Sequence, residues 1–231
     1  ILAVGYWAAM MLIPVPGYAG GMLEPAGNHC WFIDSTVLGS HTWVFAPAAG
    51  FDPEGILSTL PAIATTLLGT LGGNVLRSEQ RNQEKVVCFL AGGLVLIAGG
   101  LLWDVWFPIN KNLWSSSYVL FTGGCACVCF GMFFWLIDLH GLRRPFQPFR
   151  VYGSNAITVF VLSELLASLL WVRPGTNREG QVATLHDQIH EQVFLSLASP
   201  PVASLLFALA FVLVLYLLAW LMWRGGMFIK I

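Results

Sequence analysis

The chain has 231 residues, of which 57% are hydrophobic, 13% aromatic and only 10% charged. An average soluble domain carries about 25% charged residues, so this chain has too few charges to cover a soluble globule with polar surface. Its formal net charge of -1 argues against nucleic-acid binding, which depends on a basic surface. The mean hydropathy of +0.73 favours a membrane protein instead.

Long apolar runs predict an all-α fold, a polytopic bundle of transmembrane helices. A helix needs about 20 apolar residues to span a bilayer, and the alternation of apolar and polar residues typical of a β-barrel is absent. The opening run 1–13 is too short to span alone and is interpreted as the end of a sixth helix. Five full spans are predicted at 56–76, 86–107, 114–137, 151–172 and 201–223.

The first residue is Ile1, which already lies within an apolar run. This run has neither the basic region nor the cleavage site of a signal peptide. We therefore expect the chain to be a fragment of a larger bundle, with its N-terminal helices missing.

The positions of Lys and Arg predict the orientation of the helices. Eight of the eleven basic residues lie in loops 77–85 and 138–150 and in the C-terminal tail. Because positive charges concentrate on the cytoplasmic side, these loops and the C-terminus are placed in the cytoplasm. The long segment 14–55, rich in Gly, Pro and aromatic residues, is then an outer loop region. It is expected to pack as a cap over the outer mouth of the bundle.

The string Phe51-Asp52-Pro53-Glu54-Gly55 precedes the span at 56–76 and allows two interpretations. Asp52 and Pro53 suit the start of a helix, and Glu54 in a first turn complements the helix dipole. Alternatively, Asp52 or Glu54 accepts hydrogen bonds from a sugar or an amine at the outer mouth.

The same span carries two features that affect its packing. Pro61 is expected to kink the helix by freeing the carbonyl of Leu57. Gly69 and Gly73 have the spacing for close contact with a neighbouring helix. The span is therefore expected to be packed in protein and to line a cavity.

The string Asn110-Lys111-Asn112-Leu113-Trp114 joins two spans on the predicted outer side. Asn112 could cap the next helix and Trp114 could anchor it at the membrane interface. These roles leave Asn110 and Lys111 without a reason, so the cluster is a candidate ligand-binding or catalytic site.

The span at 151–172 contains Asn155 and Glu164. A carboxylate within a span is costly and usually faces the bundle interior. Each of the two residues could make an interhelical hydrogen bond, and Glu164 could instead contact a proton or a substrate.

The string His186-Asp187-Gln188-Ile189-His190 has the histidine spacing of a zinc-binding HExxH motif. It has no third ligand nearby, and Asp is one methylene shorter than the usual Glu. A solvated amphipathic helix is therefore the favoured interpretation, and no metal is expected.

Four stretches in chain order together resemble the heparan-alpha-glucosaminide N-acetyltransferase family. They are Val15-Pro16-Gly17, the stretch 51–63 that begins with Phe51-Asp52-Pro53-Glu54-Gly55, the stretch 108–118 that contains Asn110-Lys111-Asn112-Leu113-Trp114, and Gly153-Ser154-Asn155-Ala156-Ile157. The resemblance continues to the C-terminal end and makes the chain similar to the C-terminal portion of such a protein.

The resemblance implies a membrane acyltransferase domain, covering 1–231, that belongs to a larger enzyme. Such an enzyme moves an acetyl group from cytoplasmic acetyl-CoA to a glucosamine-type amino sugar on the opposite face. The family's catalytic histidine lies in the N-terminal half, so the catalytic residue of this chain is unknown. The chain is expected to be inactive by itself.

The resemblance and the motifs together define the candidate site residues. The substrate-binding candidates are Asp52, Glu54, Asn110, Lys111, Asn112, Trp114, Asn155 and Glu164. The candidates for binding the phosphates of acetyl-CoA, on the predicted cytoplasmic side, are Arg143, Arg144 and Arg150, which are also ordinary positive-inside residues.

Two other classes of function stay open at this stage. Some similar bacterial proteins are catalogued as N-acetylglucosamine-related transporters and others as domains of unknown function. An amino-sugar transporter is therefore the main alternative, and a non-catalytic membrane scaffold is the other. The expected partners are the lipid bilayer of a bacterial inner membrane, an amino-sugar acceptor and the missing N-terminal helices, with a homodimer as one option.

Overall fold

The computed structural model describes residues 1–173, 175–176 and 182–229. The chain divides into two compact units, Ile1–Gly141 and Leu142–Ile231. Both units are helical.

The first unit consists of five helices joined by turns. Three of them, with the π-helical turn included, are long and apolar enough to cross a membrane. The helices are α1 (Leu2–Leu12), α2 (His29–Val37), followed by a short 3-10 helix (Gly39–His41), α3 (Thr59–Arg77), α4 (Asn82–Asp104) and α5 (Ser116–Phe134), which continues into a π-helical turn (Trp135–Leu139).

The second unit contains one long apolar helix, Pro200–Arg224, and a bent helix pair, Gln147–Ser154 and Ala156–Leu170, that together could form a broken span or a re-entrant loop. A small antiparallel β-ladder pairs Gly175 with Ala183 and Thr176 with Val182. The elements are α6 (Gln147–Ser154), α7 (Ala156–Leu170), β1 (Gly175–Thr176), β2 (Val182–Ala183), α8 (Leu185–Ile189), a π-helical turn (His190–Phe194), α9 (Leu195–Leu197) and α10 (Pro200–Arg224).

The described part of the chain therefore has four helices that could span a membrane, or five if the bent pair counts as one span. This confirms the predicted all-α membrane bundle. α1 is shorter than a span, as the sequence indicated. The loop between the last two predicted spans is described only in part, since Arg178 and Glu179 lie outside the described residues.

The span predicted at 151–172 is not a straight helix. α6 and α7 meet at an angle of 83°, and Asn155 between them has non-helical backbone angles of φ -134° and ψ 41°. The Asn155 side chain donates to the carbonyl of Met227 at 2.9 Å and accepts from the N–H of Ile229 at 3.0 Å. Hydrophobicity alone predicted one continuous helix. The helix is broken at Asn155, because a side chain that hydrogen-bonds to distant backbone groups competes with helix propagation.

The helix predicted to begin at 56 begins at Thr59, so Asp52 does not cap it and Pro61 lies in its first turn. A proline there loses little, because the first turn has no intrahelical acceptor for its N–H. The Leu57 carbonyl is not left free, since it accepts from the N–H of Leu60 at 3.1 Å. Pro61 therefore belongs to the start of α3, and the expectation that it kinks the span was wrong.

The close helix contact in the first unit lies between α4 and α5. A Cβ added at Gly93 would come within 2.8 Å of the Gly124 carbonyl oxygen, and one at Gly124 within 2.6 Å of the Gly93 carbonyl oxygen. At Gly69 and Gly73 an added Cβ would meet nothing within 4 Å. The close helix contact expected at Gly69 and Gly73 is therefore not found there, because small-residue spacing permits close approach without ensuring that a partner helix lies opposite.

One buried cluster joins α1, α2 and the two loops that lead into α3 and α5. Its members are Tyr6, Met10, Cys30, Phe51, Phe107 and Leu113. The Tyr6 hydroxyl lies 3.2 Å from the Cys30 Sγ and donates to the Leu113 carbonyl. The segment that contains Asp52 and the loop that contains Lys111 therefore pack against the same buried cluster.

Candidate functional site

A cleft of about 610 Å³ lies in the first unit, where three loop segments meet. One follows the 3-10 helix, one precedes α3 and one joins α4 to α5. The cleft is lined by His41, Thr42, Trp43, Val44, Asp52, Pro53, Glu54, Lys111, Asn112 and Trp114. It therefore brings together two of the motifs singled out in the sequence, which lie more than 50 residues apart.

Asp52 fastens two of these segments to each other. Its Oδ1 accepts from the N–H of Glu54 at 2.9 Å, which closes an Asx turn, and its Oδ2 accepts from the N–H of Trp43 at 3.0 Å. The carboxylate is half-buried and has lone pairs left for a ligand, because each ionised oxygen can accept more than one hydrogen bond.

Glu54, Lys111 and Asn112 supply the freely available polar groups of the cleft. All three side chains are exposed. Within the described residues, neither Glu54 nor Lys111 forms an ion pair. The cleft therefore offers a carboxylate, an ammonium and an amide to a ligand, and in the part of the chain that the structure describes the two charged groups have no ion-pair partner that a ligand would have to displace.

Asn110 belongs to the same string but has a different position. Its side-chain oxygen accepts from the N–H groups of Asn112 at 2.9 Å and Leu113 at 3.3 Å. Ser115, which the sequence did not single out, caps α5 and accepts from the N–H of Asn110 at 2.9 Å. Asn110 thus shapes the loop, and Ser115, not Asn112, begins the helix.

Trp114 has an unusual backbone conformation. Its φ of 51° is the one positive value at a non-glycine position among the described residues. Its indole N–H donates to the Thr65 Oγ1 at 3.0 Å, and its ring packs edge-on against Tyr118 at a centroid distance of 5.5 Å. A bulky residue in the left-handed region is strained, and such strain is found mainly where function requires a set geometry.

A second cavity, of about 570 Å³, begins at Trp114 and follows α3 and α5. It is bordered by Gly69, Gly72 and Gly73 of α3, and its other end is marked by Leu76 and Phe130. The absence of side chains at these glycines is what opens it. Trp114 borders both cavities.

The remaining predicted site residues lie in the second unit. Asn155 is buried and uses its amide on backbone groups near the C-terminus. Glu164 is exposed on α7, so within its unit it does not face an interior as expected. The three candidates for CoA phosphates, Arg143, Arg144 and Arg150, are exposed.

The His186–His190 string forms α8 and the start of a π-helical turn. Thr184 and Asp187 make a reciprocal capping box, and the rings of His186 and His190 stack at 5.8 Å. Hydrogen bonds from Thr184 first, and then from His186, lower the pKa of Asp187 to about 2. No group of three or more potential metal ligands is found among the described residues, and these contacts account for the string.

Sequence reasoning missed His41 and Trp43, which line the cleft. The only signal was their location in the aromatic segment 14–55, where many residues had equal claim. The hydrogen bond from the Trp43 N–H to Asp52 positions this segment at the cleft. The periodicity of the sequence gives no sign of such a hydrogen bond.

The apolar helices and the polar cleft beside their ends define a multi-pass integral membrane protein. Its sequence is 32% identical to the heparan-alpha-glucosaminide N-acetyltransferase of Mus musculus over an aligned length of 194, and this match covers 69% of the chain. It is 30% identical to the Homo sapiens protein of the same name over an aligned length of 189, and that match covers 70% of the chain. No family model matches the chain.

The chain is thus related to the heparan-alpha-glucosaminide N-acetyltransferases over more than two thirds of its own length, which confirms the resemblance that the motifs indicated. The matches cover 28% of the length of each of these relatives.

Proposed function

We propose that this chain provides the acceptor site of a membrane N-acetyltransferase that acetylates a glucosamine-type amino sugar with acetyl-CoA as donor. The observation that carries the proposal is the cleft, which places Asp52 and Glu54 beside Lys111 and Asn112. The names of the two relatives support the choice of reaction.

The chemistry of the cleft suits an amino sugar. Carboxylates bind an ammonium group and sugar hydroxyls by charge-assisted hydrogen bonds, and the exposed ring of Trp43 offers a face for the sugar ring. Lys111 and Asn112 can donate hydrogen bonds. These groups would orient the acceptor and set its position relative to the donor.

The reaction needs a free amine at the moment of transfer. The amine nitrogen attacks the thioester carbonyl carbon, a C–N bond forms, the C–S bond breaks, and CoA leaves as its thiol. An ammonium nitrogen loses one proton before the attack and a second after the C–N bond has formed; a base takes up these protons and returns one to the leaving thiolate. The negative oxygen of the intermediate needs hydrogen-bond donors. Glu54 is suited to hold the substrate ammonium, and Lys111 to stabilise the oxygen; the base is unassigned.

The cavity along α3 and α5 supports delivery of the donor from the other end of these helices. It starts at Trp114, beside the acceptor cleft, and follows the helices for several turns. A flexible acyl carrier could lie along it. Independently of this cavity, Arg143, Arg144 and Arg150 of the second unit stay candidates for the phosphates of acetyl-CoA, because the predicted orientation assigns their loop to the cytoplasmic side.

The experiment that tests the acceptor site measures glucosamine binding to the purified membrane protein by calorimetry. Glu54→Gln keeps the size of the side chain and removes its charge, so glucosamine should bind about tenfold more weakly. Glu79→Gln, an equally exposed change outside the cleft, should bind as the unchanged protein does. Equal affinities for all three proteins would refute the proposal.

A transporter for amino sugars would use the same two cavities as parts of a path across the membrane. Uptake of labelled N-acetylglucosamine into proteoliposomes without acetyl-CoA distinguishes this alternative. Such uptake would favour transport, whereas glucosamine binding that depends on Glu54, without uptake, would favour the acceptor site of a transferase.

A further inference from the structure

Asp34 is a carboxylic acid that is completely buried behind the cleft. It lies on α2, outside the predicted spans, and none of its surface is exposed. Its Oδ1 accepts from the N–H of Ile56 at 2.9 Å, whereas its Oδ2 has no hydrogen-bond partner among the described residues. A buried carboxyl group with an unpaired oxygen is costly, so its presence requires a reason.

The surroundings of Asp34 connect it with the acceptor cleft. The N–H of Ile56 ends the turn that carries Asp52 and Glu54, and the Gly55 backbone packs directly against the Asp34 carboxyl group. A Cβ at Gly55 would overlap the Oδ2 of Asp34. The turn therefore packs against Asp34, and at position 55 the space allows only glycine.

The electrostatic environment of Asp34 agrees with a role as an acceptor of backbone hydrogen bonds. Burial raises the pKa of Asp34, and the hydrogen bond from the Ile56 backbone opposes this rise. The negative charge of the Asp52 side chain reinforces the rise in pKa, whereas the Asp52 backbone N–H opposes it. Tyr6 and Cys30 are the titratable groups that face Asp34 from its other side. Burial and the neighbouring titratable side chains disfavour a charge on Asp34, whereas backbone N–H groups are the neighbours that favour it. The group is therefore placed poorly for ionic attraction and well for accepting a backbone hydrogen bond.

We infer that Asp34 is a positioning residue, which anchors the turn at Ile56 and thereby holds Asp52 and Glu54 in the cleft. It does not touch the cleft itself, because it is absent from the cleft lining. Its importance for an amino sugar rests on the proposed function, whereas the anchoring of the turn can be tested without it.

The test combines hydrogen exchange at the Ile56 amide with glucosamine binding by the purified membrane protein. Asp34→Ala deletes the acceptor, so we expect exchange at Ile56 to become about tenfold faster and glucosamine to bind about tenfold more weakly. Asp34→Asn retains an acceptor oxygen and should restore both properties to within about threefold. Thr36→Ala, an exposed change on the same helix, should alter neither.

A second variant protects the test against misfolding of Asp34→Ala. Gly55→Ala leaves Asp34 intact but pushes the turn away from it, and it should produce the same two effects. Unchanged exchange at Ile56 in Asp34→Ala or in Gly55→Ala would overturn the anchoring, and so would failure of Asp34→Asn to restore it. If the unchanged protein binds no glucosamine, the proposed function fails while the exchange data still decide the role of Asp34.

Discussion

At the scale of single residues, the side chains of the cleft have two different roles. Some stabilise the loops that form the cleft, and others are exposed and available to a ligand. Asn110 and Asp52 bond to backbone N–H groups of their own or neighbouring loops. Glu54 and Lys111 are exposed and form no ion pair among the described residues. Neighbours in one motif therefore have different roles, and substitutions should affect stability and binding separately.

Asn110→Ala should destabilise the protein because it leaves the N–H groups of Asn112 and Leu113 without their acceptor. We expect a loss of about 1–2 kcal/mol in the free energy of unfolding, measured as a lower thermal midpoint in detergent. Lys111→Ala, the adjacent control, removes an exposed side chain and should change stability by less than about 0.5 kcal/mol. Similar midpoints for the two variants would contradict the assignment of roles.

At the scale of elements, glycines have opposite functions in neighbouring helices. On α4 and α5, Gly93 and Gly124 let two backbones approach. On α3, Gly69 and Gly73 face open space and border the cavity that begins at Trp114. Glycine thus permits close packing where another helix backbone lies against it, and it leaves a cavity where no group packs against it.

Gly93→Ala should destabilise the α4–α5 pair, because its Cβ would lie 2.8 Å from both the Gly124 carbonyl oxygen and a Val128 methyl group. Overpacking of this kind costs about 1–3 kcal/mol. Gly92→Ala is the matched control one position earlier, where an added Cβ meets nothing within 4 Å. It should be neutral or stabilise by up to about 1 kcal/mol, since Ala favours the helix. Thermal midpoints in detergent that fall equally would show that packing at Gly93 is not the cause.

At the scale of the whole molecule, the apolar helices imply a membrane that separates loops at their two ends. α3 has 19 residues, which correspond to a length of about 28 Å and so match the hydrocarbon core of a bilayer. The acceptor cleft lies at its N-terminal end and the basic loop 77–85 follows its C-terminal end. The proposed reaction requires these two ends to lie on opposite sides.

Cysteine labelling tests this arrangement. Val44→Cys at the cleft and Gln80→Cys in the basic loop introduce thiols at exposed positions, in a background where the exposed Cys88 and Cys129 are replaced by Ala. An impermeant maleimide applied to intact cells should label Val44→Cys and reach Gln80→Cys only after the membrane is opened, because positive charges favour the cytoplasmic side. Labelling of both from outside would contradict the orientation.

The sequence by itself determined four of the five long apolar helices, their approximate ends and the two strings that contribute to the cleft. These features follow from local properties: the length of apolar runs, the cost of exposed backbone in lipid and the polarity of short loops. The resemblance to the N-acetyltransferases was equally visible, because it rests on consecutive residues.

Only the tertiary structure decided which residues meet. Three hydrogen bonds from a backbone N–H to a side-chain oxygen join residues that are 9, 22 and 74 positions apart in the sequence. They connect Trp43 with Asp52, Ile56 with Asp34 and Ile229 with Asn155. Each depends on the fold bringing a side chain to a distant backbone N–H, and no periodicity records such a meeting. For this reason Asp34 and His41 went unnoticed in the sequence, Glu164 was expected in an interior, and the span at Asn155 was expected to be straight.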